Sequence, residues 1–553
     1  MIENNQKITV CGEVKEITAG TTYEDLAKEF QSKFKFPILV AKQNSVFKEL
    51  SAPVQPTGEV EFFDLLSGQG NRVYLNGLMY LTIYAIKELY GNATKVNVKY
   101  TIDKGLYIEC SKKLDKDVIK NIKKKMEEIV EQDMNISKKN VSRIEAIEYF
   151  KKNNDIDKAT MLRYNTNNYI KLYKLGNMYD YYFSKLPIST GVLKLFDITY
   201  LNENGFILLY PDRYNDGIVP KYTHHPQRFE VYNEYKDWLK IMNISNVSSL
   251  NEIVSSGHIG NLMRIDETIQ DSRLLNIARD IWEHKDKLKI ILIAGPSSSG
   301  KTTTSIKLVN YLKTFGMNPV QLSMDDYFVP RVKNPKKEDG SYDYECLEAL
   351  DLKLLDSNIE KLLAGEKIMA PVYNFIKGEP EFTKELELGK NDIIVMEGIH
   401  ALNPKLLPSI PRSKKFKMYI SPLTALNIDN HNRISTSDNR LLRRIVRDNR
   451  TRGHKVETTL SAWSNVRLGE EKYIFPYQDE ANVTFNTALI YELGVLKTYA
   501  EPLLYSVDID SPYYAEAKRL INLLKTFLPM PSEDIPDDSL IREFIGGSCF
   551  KVM

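Results

Sequence analysis

The second half of this 553-residue sequence predicts a P-loop NTPase-type α/β fold with a parallel sheet, and three observations predict it. Residues 295–302 read GPSSSGKT, which fills every fixed position of the phosphate-cradling pattern G-x-x-x-x-G-K-[ST]. Before this octet lies the apolar run 290–294, suited to a buried strand, and after it residues 302–315 carry apolar side chains at helical spacing. Strand-like runs at 290–294, 319–324, 392–396, 415–420 and 482–486 then alternate with helical stretches, the order of a parallel sheet covered on both faces.

The elements ahead of that domain read as two smaller units. Strand-like ITV and VKEI flank a Cys-Gly-Glu turn, a helix over 22–30 opens with a capping-box Thr-x-x-Asp, and PILVAKQ and EVEFFDL follow, an order that predicts a β-grasp domain over 1–66. An amphipathic helix near 73–89, the strands KVNVKYTI and GLYIEC and further strand-and-turn sequence predict an α+β domain over 67–228. Residues 229–285 turn helical and read as a connector. The P-loop domain then spans 286–528, and the Pro- and Asp-rich 529–553 reads as a tethered helical tail.

Composition narrows the function classes. With 75 Lys and Arg against 73 Asp and Glu, the net charge of +2 argues against a surface that coats nucleic acid, DNA included. The basic run 112–125 interleaves its lysines with Leu114, Val118, Ile119, Ile122 and Met126 at helical spacing, which fits a solvated amphipathic helix better than an RNA contact. Cys11, Cys110, Cys346 and Cys549 are far apart and form no C-x-x-C pair, so neither a zinc ribbon nor a disulfide framework is indicated. The N-terminus lacks the regions of a signal peptide and no apolar run nears the roughly 20 residues that span a bilayer, so a cytoplasmic protein without a membrane partner is expected. The oligomeric state, a homo-oligomer included, is left open.

The octet supplies the chemistry of an ATP or GTP site. The loop backbone over Gly295, Pro296, Ser297, Ser298, Ser299 and Gly300, with Thr303 beyond, can approach phosphates through its N–H groups, except at Pro296, which has none; Lys301 places a cation on the β and γ oxygens and Thr302 offers a hydroxyl to Mg²⁺. Asp325 and Asp326 follow the second strand, at the carboxyl edge where doubly wound sheets bind ligands, and a carboxylate there can accept the proton of an attacking hydroxyl. The strand 392–396 ends in Glu397, suited to orienting the Mg²⁺ shell. Residues 438–453 read DNRLLRRIVRDNRTRG, in which Arg440, Arg444 and Arg447 share a helical face and Arg452 falls slightly off it, a face able to close over polyphosphate.

GPSSSGKT, MDDYF, PVYNF at 371–375, VMEGI, RRIVRDNRTRG and the segment 475–492 together resemble the uridine kinase and phosphoribulokinase family, over about the last half of the chain. The resemblance implies an ATP- and Mg²⁺-dependent kinase of a small-molecule nucleoside. It implies Asp325 as general base, Lys301 and Thr302 on phosphate and metal, and Arg444, Arg447 and Arg452 as lid arginines. Glu345 falls where the ribose is held and Tyr373 and Phe375 where the base packs. The chain departs from uridine kinases at Gly378, where a base-reading His is expected, at Ala462, where a Gln is expected, and at His454, where an Arg is expected. Losing polar partners weakens discrimination among bases. A kinase of another small alcohol and an RNA-associated nucleotide sensor are the alternatives.

The front half resembles a TGS domain followed by the second, editing-type domain of threonyl-tRNA synthetases, carried by YAIKELYG, IDKGLYIEC and YDYYFSKLPISTG. The positions of that domain's His/Cys cluster read Asn76, Tyr80, Tyr182 and Leu186, a set with no strong zinc ligand, so no bound zinc is expected. The resemblance leaves a scaffold or RNA-contacting role. The pair His224-His225 before Pro226 reads as a loop rather than a metal site.

Overall fold

A computed structural model describes residues 6–337, 340, 342–374, 376–389 and 391–550. Five strands build the central sheet of the second half: β1 (Ile290–Ala294), β2 (Asn318–Ser323), β3 (Asp392–Glu397), β4 (Lys415–Ser421) and β5 (Val483–Asn486). They lie in the order β2-β3-β1-β4-β5 and every neighbouring pair is parallel. The five expected strands are all present, with ends shifted by a residue or so. Met324 leaves the expected second strand for a 3₁₀ turn, Met324–Tyr327, which Ser323 starts by accepting the Asp325 N–H at 3.2 Å.

Both faces of this sheet are covered, as a parallel sheet requires. Along β1, Ile290, Leu292 and Ala294 enter one core with Leu322, Met324, Ile394 and Met396, while Ile291 and Ile293 enter the other with Leu308, Leu312, Val395 and Met418. Each of these fully buried aliphatic side chains contributes about 1.5 to 3 kcal/mol. Helix α1 (Lys301–Thr314) follows β1 directly, and α2 (Thr436–Arg452), α3 (Val456–Tyr473) and α4 (Glu492–Tyr505) follow between and after the last strands. The antiparallel hairpin Ile368–Asn374 and Glu379–Leu386 stands between β2 and β3 in the chain.

At the N-terminus, five short strands and the helix Tyr23–Phe30 form a mixed sheet whose first and last strands, Gln6–Val10 and Glu59–Phe63, are parallel neighbours at its centre. Thr22 and Asp25 close the capping box read from the sequence. Next, the helix Gly68–Tyr90 packs with a four-stranded antiparallel sheet and the basic helix Lys116–Glu131, which buries Ile119, Ile122 and Met126 and turns its lysines outward. Of the four zinc-type positions, Tyr80, Tyr182 and Leu186 serve packing here: the Tyr80 hydroxyl donates to the carbonyls of Tyr173 and Met178 at 2.9 Å, its ring meets Tyr182 edge-on at 5.5 Å, and Leu186 is buried, while Asn76 is half-buried.

The segment read as a connector is built into the second half. Within Ile259–Glu283, Asp266 accepts the Ile490 N–H at 2.6 Å and Gln270 donates to the Ala488 carbonyl at 2.9 Å. The two halves also join directly: Val98 N donates to Asn430 O at 2.8 Å and Asn427 donates back to Val98 O at 2.7 Å. Beside this contact Asp180 of the front half lies buried between Lys158 and His431. No described helix is long and apolar enough to cross a membrane.

Candidate active site

The loop Gly295–Thr302 turns from β1 into α1 at the carboxyl edge of the sheet. Two of its glycines are sterically required. A Cβ on Gly295 would sit 2.3 Å from the Ile420 carbonyl of β4, and Gly300 holds φ +87° as the left-handed N-cap of α1. Lys301 folds over its own loop, donating to Gly295 O at 2.9 Å and Pro296 O at 3.2 Å. The buried hydroxyls of Ser298 and Ser299 have no partner among the described residues, while Ser297 N donates to Glu470 at 3.2 Å and Thr303 N to Glu543 at 3.3 Å. Unpaired hydroxyls, a flexible cation and the N-terminus of α1 form a donor set for an anion such as polyphosphate.

Three carboxylates share this cleft. Thr302 Oγ1 and Glu397 Oε1 are 3.4 Å apart, a hydroxyl and a carboxylate at the end of β3 that together fit a hard cation. Burial pushes the Glu397 carboxyl up to about 7; Lys301 opposes this, and the charges of Asp325 and Glu543 add to it. Asp325 opens to solvent at the end of β2 while the cleft walls surround it. Desolvation raises its pKa, Lys301 pulls the other way and Asp326 adds to the rise. Glu345 is raised by burial first, then by Glu470, with Arg444 and Lys301 opposing, so it lies in electrostatic reach of the loop and of Asp325. Its backbone is fixed by Asp343, which accepts the Glu345 N–H at 3.1 Å and the Tyr473 hydroxyl at 3.2 Å.

Asp326 takes a different role from its neighbour. Its carboxylate accepts the Tyr373 N–H at 3.2 Å and ties the hairpin to the sheet. Tyr373 itself is 8% exposed, with its ring edge-on to Phe328 at 5.8 Å. Phe375 lies outside the described residues. Gly378 sits at φ +75° in the hairpin turn, where an added Cβ would lie 3.0 Å from the Arg331 side chain, so a side chain there is strained and has to displace Arg331.

The arginine-rich stretch forms α2 and is docked on the loop at its start. Arg440 is buried against Glu470 and donates to Ser297 O at 3.2 Å, while Arg443 is buried against Glu492 and donates to Thr487 O at 2.8 Å. Arg444 reaches Ser297 Oγ at 2.8 Å and Asp448 at 3.2 Å. Arg447 and Arg452 both pair with Asp448, at 2.9 and 3.5 Å. Sequence spacing gave no signal of the Arg440–Glu470 and Arg443–Glu492 pairs, whose partners stand 30 and 49 residues apart. Nor did it reveal Glu543, which accepts from Thr303 N at 3.3 Å and Thr303 Oγ1 at 2.7 Å across 240 residues.

A buried histidine closes the side near Glu345. His400 is 3% exposed, its ring lies 5.9 Å from that of Tyr473, and neither ring nitrogen has a well-aligned hydrogen bond among the described residues. Burial pushes its pKa down to about 4, so it is neutral at pH 7. A cavity of about 1040 Å³ lies elsewhere, between the front half and the start of α2, with Asn76, Arg213, Arg433, Trp463 and Tyr513 among its walls. The loop is not part of it.

The phosphoribulokinase / uridine kinase family model matches residues 290–490. A uridine kinase of Ureaplasma parvum is 26% identical over 196 residues, 35% of this chain and 86% of the relative. A threonine–tRNA ligase of Syntrophotalea carbinolica is 28% identical over 191 residues, 34% of this chain and 30% of that one. Among solved structures, D-glycerate 3-kinase from Cryptococcus neoformans aligns at 13% identity over 46% of this chain and 87% of its own, with a TM-score of 0.21.

Proposed function

We propose that the chain, through the phosphoribulokinase / uridine kinase family domain it carries over residues 290–490, is an ATP-dependent nucleoside kinase acting on a ribose 5′-hydroxyl, of the uridine and cytidine kinase type. A domain of this family is a phosphotransferase with an alcohol group as acceptor and ATP as donor. The observation that carries the reading is Asp325: an open carboxylate at the end of β2, in one cleft with Lys301, Glu397 and Glu345.

In this reading Asp325 orients the acceptor hydroxyl and takes its proton. Lys301 leaves its own carbonyls for the donor phosphates, Arg444 adds positive charge from Ser297, and Gly295 to Thr303 supply the cradle. Thr302 and Glu397 would hold Mg²⁺, which when bound offsets the charge of the phosphates. Glu345 holds the ribose. Arg447 and Arg452 now pair with Asp448 and would have to turn to reach a phosphate.

A second reading, a kinase of another small alcohol, is favoured by the base side of the cleft. Tyr373 is nearly buried and Gly378 supplies no polar reader, so edge recognition of a base is poorly supplied. Transfer from labelled ATP to uridine, cytidine and a ribose-only alcohol separates the two. Activity on the alcohol alone overturns the nucleoside reading, and a uridine-to-cytidine ratio above about 10⁴ shows that another residue reads the base.

For the front half we read a β-grasp, TGS-like domain over 1–66 and a synthetase-like α+β domain over 67–228, with the kinase domain at 286–528. The parallel pairing of first and last strands and the ligase likeness support this. With no zinc-ligand set at the four zinc-type positions, two of which are the packed rings of Tyr80 and Tyr182, the front half serves as scaffold or RNA contact. ATP turnover that depends on added RNA would move the protein to the nucleotide-sensing class.

A further inference from the structure

One donor at the phosphate cradle, Thr303 N, is already taken by a distant part of the chain. The segment 535–550 folds back over the loop: Ile541 and Phe544 are fully buried, Leu540 lies against Gly300, and Arg450 of α2 holds the carbonyls of Glu543 at 2.8 Å and Phe544 at 3.1 Å. Lys307 of α1 pairs with Asp538 at 3.3 Å. Glu543 is thereby aimed at the N-terminus of α1, where its carboxylate takes both the N–H and the hydroxyl of Thr303. The ring of Phe544 covers the Arg443 guanidinium at 5.0 Å, next to the loop residue Ser298.

In a P-loop the Lys serves the β- and γ-phosphates and backbone N–H groups of the loop cradle the α- and β-phosphates, next to the helix N-terminus, whose N–H groups also bind anions. Thr303 N is one of those donors, and it has one hydrogen to give. A carboxylate and a phosphate are both anions and both acceptors. They cannot share it.

We propose that the C-terminal segment is an internal competitor of the donor nucleotide: Glu543 occupies a phosphate donor position of the cradle at Thr303, and ATP binds by displacing the segment. The proposal rests on ATP as the ligand of the loop. The buried contacts hold the competitor in place without nucleotide, and the segment lies beyond β5, the last strand of the sheet, so it can leave without breaking a strand pair.

The test uses the full-length protein and a non-hydrolysable ATP analogue with Mg²⁺. Glu543→Gln keeps an acceptor for Thr303 but removes the charge, and Glu543→Ala removes both. Calorimetry should show the analogue binding at least about fivefold more tightly to each variant than to wild type. In the wild-type protein, saturating analogue should also raise amide hydrogen exchange across 540–546. Equal affinity within about twofold in both variants, or unchanged or greater protection of 540–546, overturns the proposal while leaving the loop as an ATP site. Failure of the analogue to bind wild type and both variants overturns ATP as the ligand, and the proposal with it.

Discussion

Asp325→Asn and Asp326→Asn make the sharpest test of the site, because adjacent carboxylates are given opposite work. Asp325 faces the open cleft and makes no side-chain hydrogen bond to the protein among the described contacts, so its amide costs no packing and leaves the phosphate cradle intact. What disappears is the proton acceptor. Loss of a general base is worth about 10² to 10⁴ in rate, or about 3 to 5 kcal/mol of barrier. Asp326, by contrast, accepts one backbone N–H from Tyr373 at 3.2 Å, a role an amide oxygen can still fill. Its substitution should cost no more than about 1 kcal/mol and leave kcat within about fivefold. Transfer from labelled ATP measures kcat, and calorimetry with an ATP analogue checks that donor binding survives in both variants. An Asp325→Asn enzyme within tenfold of wild type, or an Asp326→Asn enzyme that is the inactive one, refutes the assignment of the base.

Three further outcomes follow from named contacts. Lys301→Ala should lower kcat by more than about 100-fold with little change in Tm, since only two carbonyl contacts at 2.9 and 3.2 Å are lost; kcat within tenfold would refute the role of the loop. Asp180→Ala strands Lys158, 1% exposed, without its counter-charge and should destabilise by about 3 to 5 kcal/mol in urea unfolding, a loss under about 1 kcal/mol counting against a paired buried charge. The partners hold the Asp180 pKa below its ordinary value of 3.8, so its stabilisation is present above that pH and is lost as pH falls further, through the folded value. His400 acts in a separate window. Its folded pKa of about 4 lies below the ordinary 6.5, so the unfolded chain takes up a proton that the fold refuses, and stability should fall by up to about 3 kcal/mol between pH 6.5 and pH 4. His400→Phe should flatten that slope; an unchanged slope would place the acid sensitivity elsewhere.

The kinase half was legible where local pattern and chemistry coincide. An octet with five flanking apolar runs specifies strand, loop and helix from neighbouring residues alone, and all five strands pair in parallel. The acids at the ends of β2 and β3 were found by the same logic, because the carboxyl edge of a parallel sheet is a position in the chain order. The arginines of α2 were harder. Spacing on a helix tells which side chains share a face, but the charge they meet depends on residues far off in sequence. Arg440 and Arg443 spend theirs on Glu470 and Glu492, in pairs that hold α2 against the loop, and Arg444 alone of the three extends to a loop hydroxyl.

The C-terminal segment shows most plainly why reading stops where it does. PMPSEDIPDD carries the marks of a tether: proline, acid and no periodic apolar face. Yet the few apolar residues after it, Leu540, Ile541, Phe544 and Ile545, are enough to seat the chain end in a core already made by α2 and α4, where Ile445, Val446 and Val495 are buried. Seating costs little, since each buried side chain returns about 1.5 to 3 kcal/mol and the segment is short. No helix period is needed when the surface that receives the residues is preformed. The functional consequence follows from the same asymmetry: an element held by a handful of contacts can be released by a ligand that claims one of them, whereas Glu470 and Glu492, locked beneath buried arginines, cannot. The site therefore joins rigid charge pairs behind the loop with a removable carboxylate in front of it.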